Sequence, residues 1–390
     1  MKKPSFWTCW KGYSAFQKLS PEQRRIVFYS EGKSYWSFLR PVINALLETT
    51  NETPTYISSD PDDPGLTFAT ERMRGVCVGS GFMMIMLFNS LKANVLAMST
   101  PDLEVYHLKR SKVFPVHYAY LMHGADSVSM VLRERALDHF DSVFCSGMHN
   151  VTEIRKRETM KALPKKQLFE IGYPYQDELI AKVNAETAAV TAKRNGDKLC
   201  VLVAPSYSEK GTGTLETCGV ELVGSLLDAG YETIVRPHPR TWLLQPKCIE
   251  TIRQTYSERA NFTLETSTVS SDSLRRADLL ISDWSAIALE YAFSRLRPVL
   301  YIDVPRKVIN PNYAELGIEP FEVSVREKVG AVLPPDEVGD VANVVRKLCE
   351  NPTAMSEQIR NVRDTNVFNV GKSAIKAAEK LVELANRKIT

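Results

Sequence analysis

Through the first 180 positions, short apolar runs rich in β-branched and aromatic residues alternate with longer stretches whose apolar residues return every three or four positions. RRIVFYSEG (Arg24–Gly32), TPTYISS, ANVLAMST, VHYAYLMHG (Val116–Gly124), DSVFCSG and KQLFEIGYP predict strands. YWSFLRPVINALLE, Phe82–Lys92 and SVSMVLRERALDHF predict helices between them, with Pro41 marking a kink or a late start in the first. From Leu179 to Lys198 the chain turns polar and alanine-rich, with no strand signal. A second series then begins. KLCVLVAP, YETIVRPHP, NFTLET, DLLISD and PVLYID predict strands; LETCGVELVGSLLDAG, CIETIRQTYSE, DSLRRA and the segment from Ala286 predict helices. The closing GKSAIKAAEKLVELANRK predicts an amphipathic helix with Ile375, Ala378, Leu381, Val382 and Ala385 on one side.

Strands separated by helices imply parallel sheets covered on both faces. Two such series predict an α/β fold of two Rossmann-like domains facing a central cleft, with ligands beyond the carboxyl ends of the strands. The expected divisions are an aromatic and basic segment at 1–22, an N-terminal domain at 23–180, a linker at 181–198, a C-terminal domain at 199–370 and a closing helix at 371–390.

Composition narrows the picture. The 390 residues suit two domains rather than one core. A net charge of +3 gives no ground for a nucleic-acid partner. Seven cysteines, scattered and without a CxxC pair, fit reduced thiols in the cytoplasm, with no metal spacing. Residues 1–20 lack the apolar core of a secretory signal. The longest apolar run, Phe82–Phe88, falls short of the roughly 20 residues a spanning helix needs and reads as the core face of a buried helix. Near the start, Phe6, Trp7, Trp10, Tyr13 and Phe16 recur among Lys2, Lys3, Lys11 and Lys18. Such a segment suits the headgroup zone of a membrane on the cytoplasmic face, or else caps its own domain.

Three strand ends in the second series are unusually polar: APSYSEKGTG, RPHPR and SDWSA. In RPHPR the prolines hold His238 extended between Arg236 and Arg240, whose guanidinium groups suit phosphate; a solvated surface loop is the equal alternative. In ISDWSAIALEY, Ser282, Asp283 and Ser285 crowd a strand-to-helix turn, with Ser285 a natural N-cap and the helix start an anion site. Glu290 lies one turn further on, set to accept sugar hydroxyls or to pair with Arg275 or Arg276. In the first series, YLMHG puts His123 at a strand end with Gly124 allowing a close turn, a residue type fit to take a hydroxyl proton. GYPYQDEL adds Tyr173, Gln176 and Asp177 at a cleft edge. The aspartates of SDPDDP read as turn residues, and no GxSxG or phosphate-loop motif is present.

Together, APSYSEKG, RPHP and SDWSAIALEY resemble the CDP-glycerol glycerophosphotransferases, the primases and polymerases of teichoic-acid synthesis. The resemblance is strongest over Leu199–Tyr301; the HG of YLMHG, GYP before Asp177 and NVGKSA extend it more thinly. It implies a GT-B fold and transfer of a polyol phosphate from a CDP-activated donor to a hydroxyl of a lipid-linked or glycan acceptor in cell-envelope synthesis. No metal or other cofactor is implied. His123 would act as base on the acceptor. His238 and Ser285 would hold the donor pyrophosphate, Arg236, Arg240, Ser206, Ser282 and Asp283 would also belong to the donor site, and Glu290 would reach donor hydroxyls. The pattern departs at Ala286, where a second serine is expected, at Ser206 in place of threonine, and in HGAD. The length favours a single addition or a few over polymer extension. The alternatives are a GT-B glycosyltransferase using a nucleotide-activated sugar for capsule or lipopolysaccharide assembly, and a GT-B scaffold without turnover.

Overall fold

The computed structural model describes residues 4–68, 70–189, 198–266 and 272–387. The chain forms two compact units, one of Met1–Glu178, Asn310–Ile318 and Val367–Thr390, the other of Leu179–Ile309 and Glu319–Asn366. Residues 190–197 of the expected linker lie outside the described residues, and its opening is helical.

The first unit holds a seven-stranded parallel sheet in the order β3-β2-β1-β4-β5-β6-β7. Its strands are β1 Ile26–Ser30, β2 Thr55–Ser58, β3 Arg74–Cys77, β4 Val95–Met98, β5 His117–Leu121, β6 Ser142–Cys145 and β7 Gln167–Glu170. In the second unit a six-stranded parallel sheet runs β10-β9-β8-β11-β12-β13. These strands are β8 Cys200–Val203, β9 Glu232–Val235, β10 Phe262–Leu264, β11 Leu279–Ser282, β12 Val299–Ile302 and β13 Gly330–Leu333. The helices up to the unit boundary are α1 Phe6–Gln17, α2 Lys33–Thr49, α3 Phe82–Asn89, α4 Val128–Val131, α5 Met148–Met160 and α6 Pro174–Ala189. Those that follow are α7 Thr214–Asp228, α8 Pro239–Leu244, α9 Pro246–Tyr256, α10 Asp272–Arg276, α11 Ile287–Arg295, α12 Phe321–Ser324, α13 Val341–Glu350, α14 Pro352–Asn366 and α15 Ser373–Ala385.

Strand alternation explains the continuous apolar runs. Val27 and Tyr29 of β1 join the core on one face with Phe16, Leu87 and Phe88, while Ile26 and Phe28 join Trp36, Leu39, Leu46 and Leu381 on the other. In the second unit Val201, Val203 and Ile281 pack with Leu222, Leu226 and Val345.

Four elements differ from the sequence expectation. Strand β3 is an edge strand with Arg74 and Gly75 exposed, too short and polar to stand out. Helix α2 runs through Pro41 without ending there, carried by the buried face of Trp36, Leu39, Val42, Ile43 and Leu46. The helix expected after Gly124 shrinks to α4: the Glu153 carboxylate caps its start by accepting the N–H groups of Val128 and Ser129 at 2.9 and 2.7 Å, and the extended backbone at Leu132 ends it. In α15, Ile375 is exposed, and Ala377 and Leu384 fill the core beside Ala378, Leu381 and Ala385.

Candidate active site

In the second sheet, connections run from β8 toward β10 on one side and from β11 toward β13 on the other. The chain order therefore switches between β8 and β11, the place where parallel α/β sheets bind ligands. The loops after β8, β9 and β11 meet at this edge.

That edge is fastened from inside. Asp283 is buried, and its Oδ1 accepts the Ser206 N–H at 2.8 Å while Oδ2 accepts the Thr214 hydroxyl at 2.9 Å. The buried Ser282 hydroxyl donates to the Ala204 carbonyl at 2.9 Å. Trp284 donates through Nε1 to the Val304 carbonyl at 2.8 Å, and the Arg326 guanidinium lies 4.1 Å from its ring centre. These partners correct the expectation for Ser282 and Asp283: their polar atoms bind the strand ends to each other. Arg236 is also turned into the fold, donating to the Ser273 hydroxyl at 3.2 Å with Glu265 3.7 Å from Nε.

Another group of side chains gathers on Tyr207, which the sequence did not single out. Its ring lies 4.8 Å from the His238 ring, and its hydroxyl accepts from Arg240 at 2.7 Å. The Arg240 guanidinium stands 4.3 Å from the ring centre and the Lys307 ammonium 3.8 Å. Arg240 also pairs with Glu209 at 3.0 Å. His238 Nδ1 accepts the Arg240 backbone N–H at 3.0 Å, capping α8. That bond requires Nδ1 to be unprotonated, so Nε2 carries the ring's hydrogen and is a donor even when the ring is neutral. Burial, helped by Lys307 and Arg240, pushes His238 down to about 4.

Helix α11 begins one residue later than expected. Its N-cap is Ala286, which has no side chain to cap with, and Ser285 contributes its carbonyl to Ala288 N–H at 3.0 Å. Glu290 lines a small pocket with Lys182, Arg275 and Arg295, which none of the other expected site residues enters.

In the first unit His123 follows β5 in an aromatic setting. The rings of Tyr35, Phe38 and Tyr120 lie 6.1, 5.7 and 6.2 Å from its ring. Its Nδ1 is 3.0 Å from the Tyr120 hydroxyl, and burial pushes it down to about 4. Burial also lifts the hydroxyl of Tyr120 well above its ordinary value and that of Tyr35 to about 12, so both stay protonated at neutral pH. Beside them, Glu31 follows β1, held above the usual carboxylate range by burial in the company of His107, Asp102 and Arg133. Sequence reading missed this group, whose members come from three separate strand ends.

The backbone around His123 is clamped. Tyr173, itself buried, donates its hydroxyl to the His123 carbonyl at 3.0 Å. Asn150 donates to the Asp126 carbonyl at 3.0 Å and accepts from Ser146 N–H at 2.9 Å. His149 lies against the backbone of Ala125 and Asp126 and is pushed down to about 4 by burial. Gly124 is buried.

Asp177 moves from cleft edge to scaffold. Its carboxylate accepts the N–H groups of Gly371 and Ser373 at 2.7 and 2.8 Å, together with the Ser373 hydroxyl, and so anchors the start of α15. Gly172 makes that approach feasible: its φ is +97°, and a Cβ there would lie 2.1 Å from the Phe368 carbonyl oxygen. GYPYQD and NVGKSA, far apart in sequence, are thus two halves of one joint.

Among the described residues no group of three or more His, Cys, Asp or Glu side chains is placed to hold a metal ion. Asp63 instead accepts the hydroxyls of Ser30, Ser58 and Tyr56, closing the SDPDDP turn.

Residues 122–304 match the family model described as CDP-Glycerol:Poly(glycerophosphate) glycerophosphotransferase. The matched stretch contains every expected site residue. No curated protein matches by sequence. Among solved structures, the wall teichoic acid polymerase TagF superposes with a TM-score of 0.64 at 16% identity, over 97% of this chain and 93% of its own. UDP-GlcNAc 2-epimerase from Neisseria meningitidis, bound to UDP-GlcNAc, superposes with a TM-score of 0.59 at 12% identity, over 92% and 99%. Both likenesses establish the GT-B fold.

Proposed function

We propose that this chain, which belongs to the CDP-glycerol glycerophosphotransferase family through residues 122–304, moves glycerol phosphate or another polyol phosphate from a CDP-activated donor to a hydroxyl of a lipid-linked or glycan acceptor. The observation that supports this most is the cluster on Tyr207. His238, Arg240 and Lys307 meet there at the switch edge of the second sheet. Two cations and an Nε2–H donor around one ring suit a diphosphate better than a neutral sugar. Ser206 and Ser285 flank the same edge, and Arg236 is held behind it by Ser273 and Glu265.

In the reaction, the acceptor oxygen forms a bond to the phosphorus that carries the polyol. The bond from that phosphorus to the CMP oxygen breaks, and CMP leaves with the electron pair. His238, Arg240 and Lys307 stabilise the charge that gathers on the departing phosphate. His123 takes the acceptor proton. In the tautomer with Nδ1–H donating to the Tyr120 oxygen at 3.0 Å, Nε2 holds the lone pair, and its depressed value keeps the ring neutral at pH 7. With a cytoplasmic nucleotide donor and a lipid-linked acceptor, the reaction runs at the inner face of the membrane.

The nucleotide-sugar alternative draws on the epimerase likeness. A panel of CDP-polyols and nucleotide-sugars, with products read by mass spectrometry, decides between them. Acceptor gaining a polyol phosphate with release of CMP supports the proposal; acceptor gaining a sugar with release of a nucleoside diphosphate overturns it.

A further inference from the structure

The first sheet has a switch of its own. Its chain order reverses between β1 and β4, which pair in parallel, and such a crevice is where ligands enter an α/β sheet. Tyr29, Met98 and Tyr120 lie in one row across β1, β4 and β5. Glu31 stands two residues past that row, Asp102 four and His123 three. Three adjacent strands thus deliver Glu31, Asp102 and His123 to the same edge. The first turn of α2 ties two of them together: the Tyr35 ring, four residues after Glu31, is 6.1 Å from the His123 ring.

The loop after β4 carries polar groups that the fold leaves unused. The buried hydroxyls of Ser99 and Thr100 meet no hydrogen-bond partner among the described residues. Neither does Oδ1 of Asp102, a residue only 6% exposed. A buried acceptor left unmet is costly, so these atoms point to a ligand that meets them. Oδ2 of Asp102 is engaged, accepting from the Arg133 guanidinium. The backbone that presents Asp102 is left-handed, with φ +67°, and its N–H donates to the Ala136 carbonyl at 2.9 Å. On the other side of the crevice, the Glu31 carboxylate has no hydrogen bond or ion pair among the described residues, and burial lifts it above its usual range.

The chemistry of these groups selects the ligand. Carboxylates accept hydrogen bonds and repel phosphate, so this crevice does not suit a diphosphate. An amine would suit Glu31 alone, but Arg133 already balances Asp102 and opposes a second cation beside it. A neutral hydroxyl fits both residues. It donates to Asp102 Oδ1, and it accepts from or donates to the Glu31 carboxyl according to that group's proton. The rings of Tyr35 and Tyr120 beside His123 suit the carbon skeleton between such hydroxyls.

We propose that Glu31 and Asp102 hold hydroxyls neighbouring the one that reacts at His123, so that the acceptor ends in a polyol rather than a lone alcohol. They bind the acceptor and take no proton in the transfer; their part is to set which hydroxyl faces His123. The proposal rests on the transferase reading for the reacting hydroxyl and deepens it by naming the chemistry of the acceptor's end.

Binding to the full chain without donor tests it apart from turnover. Saturation-transfer NMR gives the Kd of glycerol butyl ether, of the analogue lacking its secondary hydroxyl, and of the analogue with an amine in that place. Wild type binds the diol about 10-fold or more tighter than either analogue. Asp102→Gly, which keeps the left-handed backbone, and Glu31→Ala, which strands no partner, each bring diol and monoalcohol within about 2-fold of each other. Thermal unfolding midpoints equal to wild type show that the fold is intact. Equal affinity of wild type for diol and monoalcohol overturns the proposal, as does tighter binding of the amine or binding of none of the three. So does an undiminished preference for the diol in both folded variants. CMP release from CDP-glycerol with the diol reports separately on the transferase reading: its absence beside the expected binding overturns that reading and leaves the hydroxyl site standing.

Discussion

Asp283 accepts the backbone N–H of Ser206 at 2.8 Å across 77 positions of sequence, so the turn after β11 and the loop after β8 are one rigid piece. The loop that carries Tyr207 owes its position to that buried carboxylate. Replacing Asp283 by Ala leaves the Ser206 N–H and the Thr214 hydroxyl without their acceptor. The expected loss is about 1–3 kcal/mol for each group left unpaired, read by urea unfolding. Asp283→Asn keeps one acceptor and loses less.

Asp177 gives a contrasting prediction. It anchors the start of α15 through Gly371 and Ser373, and Asp177→Ala removes a capping acceptor worth about 1 kcal/mol. Hydrogen exchange should speed up across Ser373–Ala385. Turnover per folded molecule should stay near wild type, because both Asp177 carboxylate oxygens are taken up by the start of α15. A large loss of turnover with unchanged exchange would return Asp177 to the site.

His123, His149 and His238 are each pushed down to about 4 from an ordinary 6.5. A depressed histidine binds its proton first in the unfolded chain. The stability these groups contribute is therefore complete above pH 6.5 and falls as pH drops through 6.5 toward 4. Urea midpoints across that window should decline, and His149→Asn should flatten the decline. An equal slope in wild type and variant would remove His149 from the account.

The Tyr207 cluster predicts a graded series in donor binding. Tyr207→Phe loses the hydroxyl that accepts from Arg240 at 2.7 Å but keeps the ring under Lys307. Tyr207→Ala loses both. The donor KM should rise modestly in the first and about 10-fold or more in the second, with Arg240→Ala comparable to the second. The His238 ring should titrate at a higher pH in the presence of donor, because phosphate charge favours the imidazolium; proton NMR of the ring reads this directly.

The strand-turn-helix of ISDWSAIALEY was legible because a buried strand and an apolar helix flank polar turn residues, and β11 and α11 fall there. What those polar residues do was not. Ser282 and Asp283 meet Ala204 and Ser206, partners that local pattern cannot name. Tyr207 was passed over because one tyrosine in a polar loop carries no period; its importance comes from Arg240 at the start of α8 and Lys307 after β12, both distant in sequence. Phe82–Phe88 misled for a physical reason. A run apolar on all sides has no face, so its sequence cannot tell that Phe82 and Ile85 are exposed while Met84, Leu87 and Phe88 are buried.

The account rests most directly on CMP release from CDP-glycerol in the presence of a lipid-linked hydroxyl acceptor, measured for wild type, His123→Ala and His238→Ala. Wild type should release CMP in step with acceptor modification, and each variant should lose about 100- to 10,000-fold in rate while keeping its fold. CMP release by either variant at the wild-type rate, or acceptor modified without any CMP, would contradict it.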